Sequence, residues 1–204
     1  MQDRIKVLCQ NTSAEIEVEM GITLGELCAQ LGIEGQYPIL AAYVNNRLKE
    51  LNSRLFKPAM VRFIDITHFE GYRVYQRTIS FILHKAVWDL YDNRKFYIRH
   101  SLGRGFYCEF DDDKPITDEE IEALRKRMQE IIASRYPIHR KRLQTKEING
   151  IYEQFGFEDK VALLNTRPRL YSDIYRMDNI VGYFYGALAP DSGYHPKDIL
   201  NHFT

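Results

Sequence analysis

The stretch QRTISFILHKAVWDLYDNRKFYIRHSLGRGFYCEF at residues 76–110 joins a helical pattern to a strand–turn–strand pattern. Apolar residues recur at helical spacing from about Tyr72 to Tyr91, which predicts an amphipathic helix with one buried stripe. The segment from Phe96 to Phe110 is typical of two strands joined by a glycine-containing turn. A second face of the helix, which we expect to look into a pocket, carries Arg77, Phe81, His84 and Trp88.

The sequence that follows predicts further helices and strands. Thr117 and Glu120 have the spacing of a capping box, so a helix should start there and stop before Pro137. A shorter apolar stripe ends at Gly156, a residue typical of helix C-termini. Three strand-like runs follow, at Lys160 to Leu164, Arg169 to Tyr175 and Asn179 to Tyr185.

The first 67 residues have a separate pattern. A predicted hairpin comes first, and Thr23 and Glu26 then form the capping box of a short helix closed by Gly32. Three strands are predicted after it, at Leu40 to Val44, Arg47 to Leu51 and Val61 to Ile66. Hairpin, helix and further strands in this order predict a β-grasp, or ubiquitin-like, domain. We therefore expect an α+β protein with one domain at 1–67 and a second at 68–204.

Composition excludes several classes of protein. Lys+Arg and Asp+Glu each number 28, so the net charge of zero provides no overall attraction to nucleic acid or to a membrane. Three widely spaced cysteines, Cys9, Cys28 and Cys108, indicate neither a disulfide framework nor a structural zinc site. No stretch has the length and apolarity of a membrane span, so no membrane partner is expected. A reducing, cytoplasmic location fits this pattern.

Specific sequence blocks resemble two known domains. Residues 1–67 resemble the TGS domain, a small β-grasp module. Residues 72–193 resemble the editing domain of threonyl-tRNA synthetases, through GFYCEF, PIHRK, FGFEDKVALL and YGALAPDSG in that order. The resemblance implies a second domain of the threonyl/alanyl-tRNA synthetase second-additional-domain type.

The chain departs from the editing family at the positions that carry chemistry. The family's His-x-x-x-His falls on Arg77 and Phe81, and its Cys-x-x-x-His falls on Phe184 and Leu188. These side chains do not bind a metal or shuttle a proton as imidazole and thiolate do, so we expect no metal and no catalytic residue. The pocket should persist with a changed lining, for which the candidates are Arg77, Phe81, His100, Ser101, Tyr107, Lys160, Phe184 and Leu188.

A further resemblance leads to the preferred functional hypothesis. The blocks HFEGYRVYQRTISFIL, RHSLGRGFYCEF and YGALAPDSGYHPKDI resemble the N-terminal half of bacterial uridine-kinase-like nucleoside kinases. In that case the chain is a non-catalytic regulatory or ligand/RNA-binding region of a nucleoside kinase. No P-loop motif occurs in it, so nucleoside, ATP and Mg²⁺ would bind only in a phosphotransferase domain expected beyond residue 204, and no cofactor is expected here.

Two alternatives remain open. One is an aminoacyl-tRNA deacylase with a site rebuilt from His100, Ser101, Lys160 and Arg77, although a solitary histidine is more often a surface residue than a catalyst. The other is a tRNA- or RNA-binding module that uses a basic segment, although cations also collect at helix C-termini for electrostatic reasons. Its candidate contacts are Arg135, Arg140, Lys141 and Arg142.

Overall fold

A computed structural model describes residues 3–91, 94–102, 105–112, 114–166 and 169–194. The fold is mixed α+β, as predicted. Its first part comprises β1 (Arg4–Cys9), β2 (Ala14–Glu19), α1 (Leu24–Gln30), β3 (Ala41–Val44), β4 (Arg47–Glu50) and β5 (Ala59–Ile64).

These first strands form one sheet in the order β2-β1-β5-β3-β4, in which β1 and β5 run parallel and the other neighbours run antiparallel. Strand β1 alternates exposed and buried residues, so one face of the sheet packs on α1. The Thr23–Glu26 capping box forms as predicted. Asn45 and Asn46 adopt φ values of 48° and 61°, which the tight β3–β4 turn requires.

The second part contains two smaller sheets and four helices among the described residues. Strands β6 and β7 form a separate hairpin, and the other three strands pair in the order β10-β9-β8. The elements are α2 (Phe69–Leu90), β6 (Phe96–Leu102), β7 (Gly105–Phe110), α3 (Asp118–Ser134), β8 (Ile138–Gln144), α4 (Thr145–Gln154), α5 (Glu158–Asn165), β9 (Tyr171–Met177) and β10 (Ile180–Gly182).

The structure corrects two of the sequence predictions. The run from Lys160 to Leu164 lies in helix α5, not in a strand. It was mistaken for a strand because a short apolar run has the same appearance in a buried strand and in a short helix. The basic segment near residue 140, to which no element was assigned from the sequence, forms strand β8, in which most side chains are exposed and apolar–polar alternation is therefore missing. Helix α2 also begins three residues earlier than predicted, at Phe69, with His68 as its N-cap.

Two apolar cores meet along α2. One face of the helix packs with α3 and the β8–β10 sheet through Phe81, Met128 and Met177. Its first turns share a smaller core with the N-terminal sheet, where Ile64 and Val74 are both buried. The first part of the chain is therefore packed directly against the second.

The start of α2 also lies close to the backbone that precedes it. A Cβ atom added to Gly71 would come within 1.8 Å of the Asp65 carbonyl oxygen, so only glycine fits at this approach.

The side chain of Lys85, deeper in helix α2, is buried between two carboxylates, at 2.6 Å from Asp89 and 3.2 Å from Asp178. Because buried charges require partners, this ion pair network fixes α2 against the β9–β10 turn.

No helix in the described ranges combines the length and the apolarity that crossing a membrane requires.

Candidate functional site

The four positions that the resemblance assigns to a metal-ligand-like cluster, namely Arg77, Phe81, Phe184 and Leu188, come together in space. The rings of Phe81 and Phe184 lie 5.2 Å apart, and both belong to the same apolar cluster as Leu188. Phe81 is 0% exposed and Leu188 is 1% exposed, so these two side chains fill the volume with packed hydrocarbon. Neither benzyl nor isobutyl groups offer a lone pair, and the cluster has no metal-binding chemistry.

Arg77 occupies the fourth position and has a structural contact. Its Nε atom donates a hydrogen bond to the Ala187 carbonyl oxygen at 2.8 Å. A Cβ atom on Gly186 would lie 3.0 Å from the guanidinium carbon, and the φ of Gly186 is 118°, so a glycine allows this close approach. Burial lowers the pKa of Arg77, although neighbouring Glu70, Tyr175 and Glu50 oppose that effect. Arg77 thus holds the segment after β10 against α2.

Two further contacts position the same segment. The Tyr175 hydroxyl lies within hydrogen-bonding distance of the Glu50 carboxylate and of the Gly186 carbonyl oxygen. The Ala189 backbone N–H donates to the Thr78 hydroxyl at 3.0 Å. Desolvation, followed by the charge of Glu50, raises the pKa of Tyr175, so its hydroxyl stays protonated as a donor at neutral pH. Strand β4 of the first sheet therefore helps to position the cluster.

An open cavity of about 710 Å³ lies beside this packed cluster. Its volume is within the range typical of small-molecule sites. Helix α2 supplies one wall, strand β6 a second, the α4–α5 connection a third and the segment after β10 a fourth. The side chains that matter for its chemistry are Phe81, His84, Trp88, Phe96, Tyr97, Phe155, Phe157, Lys160 and Phe184.

Aromatic rings dominate the cavity wall. The ring of Trp88 lies 5.4 Å from Phe155 and 6.3 Å from Phe157, and the latter two rings are stacked at 5.8 Å. The FGF sequence at residues 155–157 brings both phenylalanines to the wall, because Gly156 at φ 70° turns the chain between helices α4 and α5. The wall can therefore hold an apolar or planar group by ring contacts.

Two polar side chains face this aromatic wall. The imidazole of His84 makes edge contacts with Phe96 and Phe157. Burial, reinforced by the charge of Lys160, lowers the pKa of His84 to about 3, so its ring is neutral at physiological pH. The Lys160 ammonium lies 4.0 Å from the centroid of Phe157, in a cation–π contact. The cavity thus offers a neutral hydrogen-bonding ring beside a cation.

The predicted pocket residues divide into three groups. Phe81, Lys160 and Phe184 line the cavity, whereas Arg77 and Leu188 lie in the packing beside it. His100 and Tyr107 pair across the exposed β6–β7 hairpin, where their rings stack at 5.3 Å. The Ser101 side chain lies outside the described residues. His84 and Trp88, which the helical spacing directed toward a pocket, also line the cavity.

The basic candidates lie apart from the cavity and are largely paired. Arg140 and Arg142 both bind Asp173, at 2.6 Å and 3.0 Å, because alternate residues of β8 share a face with the neighbouring strand β9. Arg135 pairs with Asp191 at 3.0 Å. Lys141, on the other face of β8, is exposed. The acidic partners offset most of the positive charge expected of this segment.

The described residues contain no group of three or more His, Cys, Asp or Glu side chains able to hold a metal ion.

Four cavity residues were not predicted from the sequence, namely Phe96, Tyr97, Phe155 and Phe157. The FGF sequence was the available signal, because two large rings separated by glycine after a helix are unusual for a solvent-exposed turn.

Comparisons with known proteins identify related chains. No protein-family model matches the sequence. A threonine--tRNA ligase of Symbiobacterium thermophilum is 32% identical over 152 residues, which are 74% of this chain and 23% of the ligase. Ligases of the same name from Clostridium kluyveri and Orientia tsutsugamushi are 29% and 31% identical over 93% and 89% of this chain.

The chain spans 23% to 30% of the length of these relatives. All three are named as tRNA ligases, and they lend no support to a link with a nucleoside kinase. The similarity covers most of this chain and agrees with the sequence blocks noted above. The chain therefore carries a threonyl-tRNA synthetase-like region.

Proposed function

We propose that the chain is a tRNA-binding, editing-like module that receives the 3′ end of tRNA in the cavity without hydrolysing the aminoacyl ester. The observation that carries this proposal is an open aromatic cavity beside a cluster in which Phe81 and Leu188 replace proton-shuttling groups. The similarity to threonine--tRNA ligases supplies tRNA as the partner. A protein acting on tRNA would work in the cytoplasm.

The lining of the cavity suits this role chemically. A nucleobase or an aminoacyl group can lie against Trp88 and Phe157, since aromatic stacking contributes about 1–3 kcal/mol per base. Lys160 adds a cation to the same wall and would attract a backbone phosphate, whereas two carboxylates offset the charge of Arg94, which also lines the cavity. Arg94 is held in place by ion pairs with Asp112 and Glu120.

The proposal includes the two-domain division at 1–67 and 68–204. The order β2-β1-β5-β3-β4, with parallel central strands and a helix between β2 and β3, supports a TGS-like β-grasp domain at 1–67. Glu50, which hydrogen-bonds the Leu188 backbone N–H at 3.4 Å, would then connect this domain to the cavity.

The deacylase hypothesis is not the one that the geometry favours. Of its four residues, Lys160 lines the cavity, Arg77 is hydrogen-bonded behind it and His100 lies on the exposed hairpin. General acid–base catalysis requires groups within hydrogen-bond reach of one reacting atom. A binding role needs no such convergence.

Binding and hydrolysis can be tested on the same protein. Fluorescence anisotropy with labelled tRNA should show binding that weakens as salt rises. Replacing Lys160→Met should reduce the affinity, whereas Lys141→Met, a matched change on the exposed face of β8, should leave it nearly unchanged. The reverse pattern would move the interface to the basic strand and refute the cavity as the binding site.

The second measurement follows radiolabelled seryl- and threonyl-tRNA over time. We expect ester loss at the spontaneous rate with and without the protein. Protein-dependent release of the amino acid that His84→Gln or Lys160→Met abolishes would overturn the non-catalytic role.

A further inference from the structure

We propose that the cavity selects aminoacyl ends that carry a large apolar or aromatic side chain, in place of the small hydroxyl-bearing side chains of serine and threonine. This inference rests on the proposed function, because it names the group that the proposed tRNA end would carry. It follows from which atoms line the inner end of the cavity.

The inner end is made of hydrocarbon. Phe81 and Phe184 close it from α2 and from the segment after β10. A Cβ atom on Gly182 would come within 2.7 Å of Phe184 and 2.9 Å of Phe81, so these two rings press directly on the backbone. A ligand group that reaches this end contacts the partly exposed ring of Phe184, because Phe81 is fully buried behind it.

A hydroxyl group at that position would lose its hydrogen bonds to water. Burying a hydroxyl without a hydrogen-bond partner is unfavourable, whereas burying an apolar side chain is favourable. His84 and Lys160 are polar groups of the lining, and both contact the ring of Phe157. They can meet the polar ester or phosphate end of a ligand while its side chain lies on the rings.

The aromatic wall agrees with this assignment. The cavity of about 710 Å³ is bordered by the neighbouring rings of Trp88, Phe155 and Phe157. A small polar side chain would leave part of the aromatic wall in contact with water. A phenylalanyl or leucyl side chain would replace that water with apolar contacts.

The experiment uses the full chain and non-hydrolysable probes, namely 3′-amino-3′-deoxyadenosine linked through an amide to phenylalanine, leucine or serine. Trp88 is the only tryptophan in the sequence and lies in the cavity wall, so its fluorescence reports binding directly. We expect the phenylalanyl and leucyl probes to bind at least about tenfold more tightly than the seryl probe. Equal affinities, tighter binding of the seryl probe or no binding of any probe would overturn the inference.

Matched variants locate the preference. Phe157→Ala should reduce the preference for the phenylalanyl probe severalfold, and Phe155→Leu should serve the same purpose if the alanine variant does not fold. Leu170→Ala, which also truncates an apolar side chain but at a position that is 83% exposed, should leave all three affinities unchanged. A preference that survives both cavity variants would refute the role of the aromatic wall.

This outcome is separable from that of the proposed function. If tRNA binds in the anisotropy assay and Lys160→Met weakens it, but the probes show no apolar preference, only the selectivity inference fails. If the probes bind with the expected preference and tRNA does not bind, the cavity keeps its assigned ligand class and the tRNA-binding role fails.

Discussion

The two sides of the ring pair Phe81–Phe184 use the same kind of residue for different purposes. On one side the rings pack with Leu188 in a closed core, and on the other the partly exposed Phe184 borders an open cavity together with Trp88 and Phe157. An aromatic side chain in a closed core contributes stability, whereas one at a cavity wall keeps part of its surface for a ligand. The ring pair therefore belongs both to the core and to the border of the cavity.

The sealed side should show the largest effect on stability. Phe81→Ala removes a fully buried ring and leaves a cavity, so we expect a loss of about 3–5 kcal/mol in the free energy of unfolding. Urea denaturation monitored by far-UV circular dichroism measures it. A loss below about 1 kcal/mol would contradict the packed description of this side. Phe81→Leu, which retains an apolar side chain, is the milder control.

The open side contains His84, whose contribution to the free energy of unfolding should depend on pH, whereas the sealed side contains no titrating group of this kind among Phe81, Phe184 and Leu188. Because the folded pKa of His84 is lowered to about 3, protons bind the unfolded chain first as pH falls below the ordinary histidine value of 6.5. Stability from this group is complete above pH 6.5 and is lost progressively between pH 6.5 and 3. At pH 5 the loss amounts to about 2 kcal/mol.

The His84→Gln variant isolates that contribution from the other titrating groups. Its stability should fall less than that of the wild-type chain between pH 7 and pH 5. Parallel stability curves for the two proteins would show that His84 protonates as readily in the folded state as in the unfolded state, contrary to its burial.

Removing the hydrogen bonds that hold the segment after β10 should have an intermediate effect on stability. Tyr175→Phe removes the hydroxyl near Glu50 and the Gly186 carbonyl, so we expect a loss of about 1–2 kcal/mol. Thermal unfolding of this variant and of Glu50→Gln measures it. If the double variant loses as much as the sum of the single variants, the two side chains do not act as a pair.

The smallest stability effect belongs to the cavity wall itself. Phe157 is only partly buried, so Phe157→Ala should cost about 1 kcal/mol, less than Phe81→Ala. Urea denaturation, as for Phe81→Ala, measures this loss in the same variant that is used for the ligand measurement. A stability loss as large as that of Phe81→Ala would mean that both sides of the ring pair serve as core.

Local signals in the sequence predicted much of the fold. The capping boxes at Thr23 and Thr117 each depend on interactions within a few residues, and both form. Helix α5 and strand β8 could not be predicted in this way. The apolar residues of α5 are too few to show a period, and β8 is identified by its pairing with the distant strand β9.

The cavity was predictable only in part for the same reason. The spacing of Phe81, His84 and Trp88 on one helix directed them toward a common space, and the structure places all three there. The remaining walls come from β6 and the α4–α5 connection, which are far away in the sequence. The pairing of Arg140 and Arg142 with Asp173 is likewise a long-range fact that a count of local charges does not contain.

The small core shared by Ile64, Val74 and Ala187 has a mechanical consequence. Gly71 lies against the Asp65 backbone, and apolar side chains pack across the junction. We therefore expect little hinge motion between the two parts of the chain at this point. If a force or a ligand displaces the first sheet, helix α2 should move with it and shift the lining of the cavity.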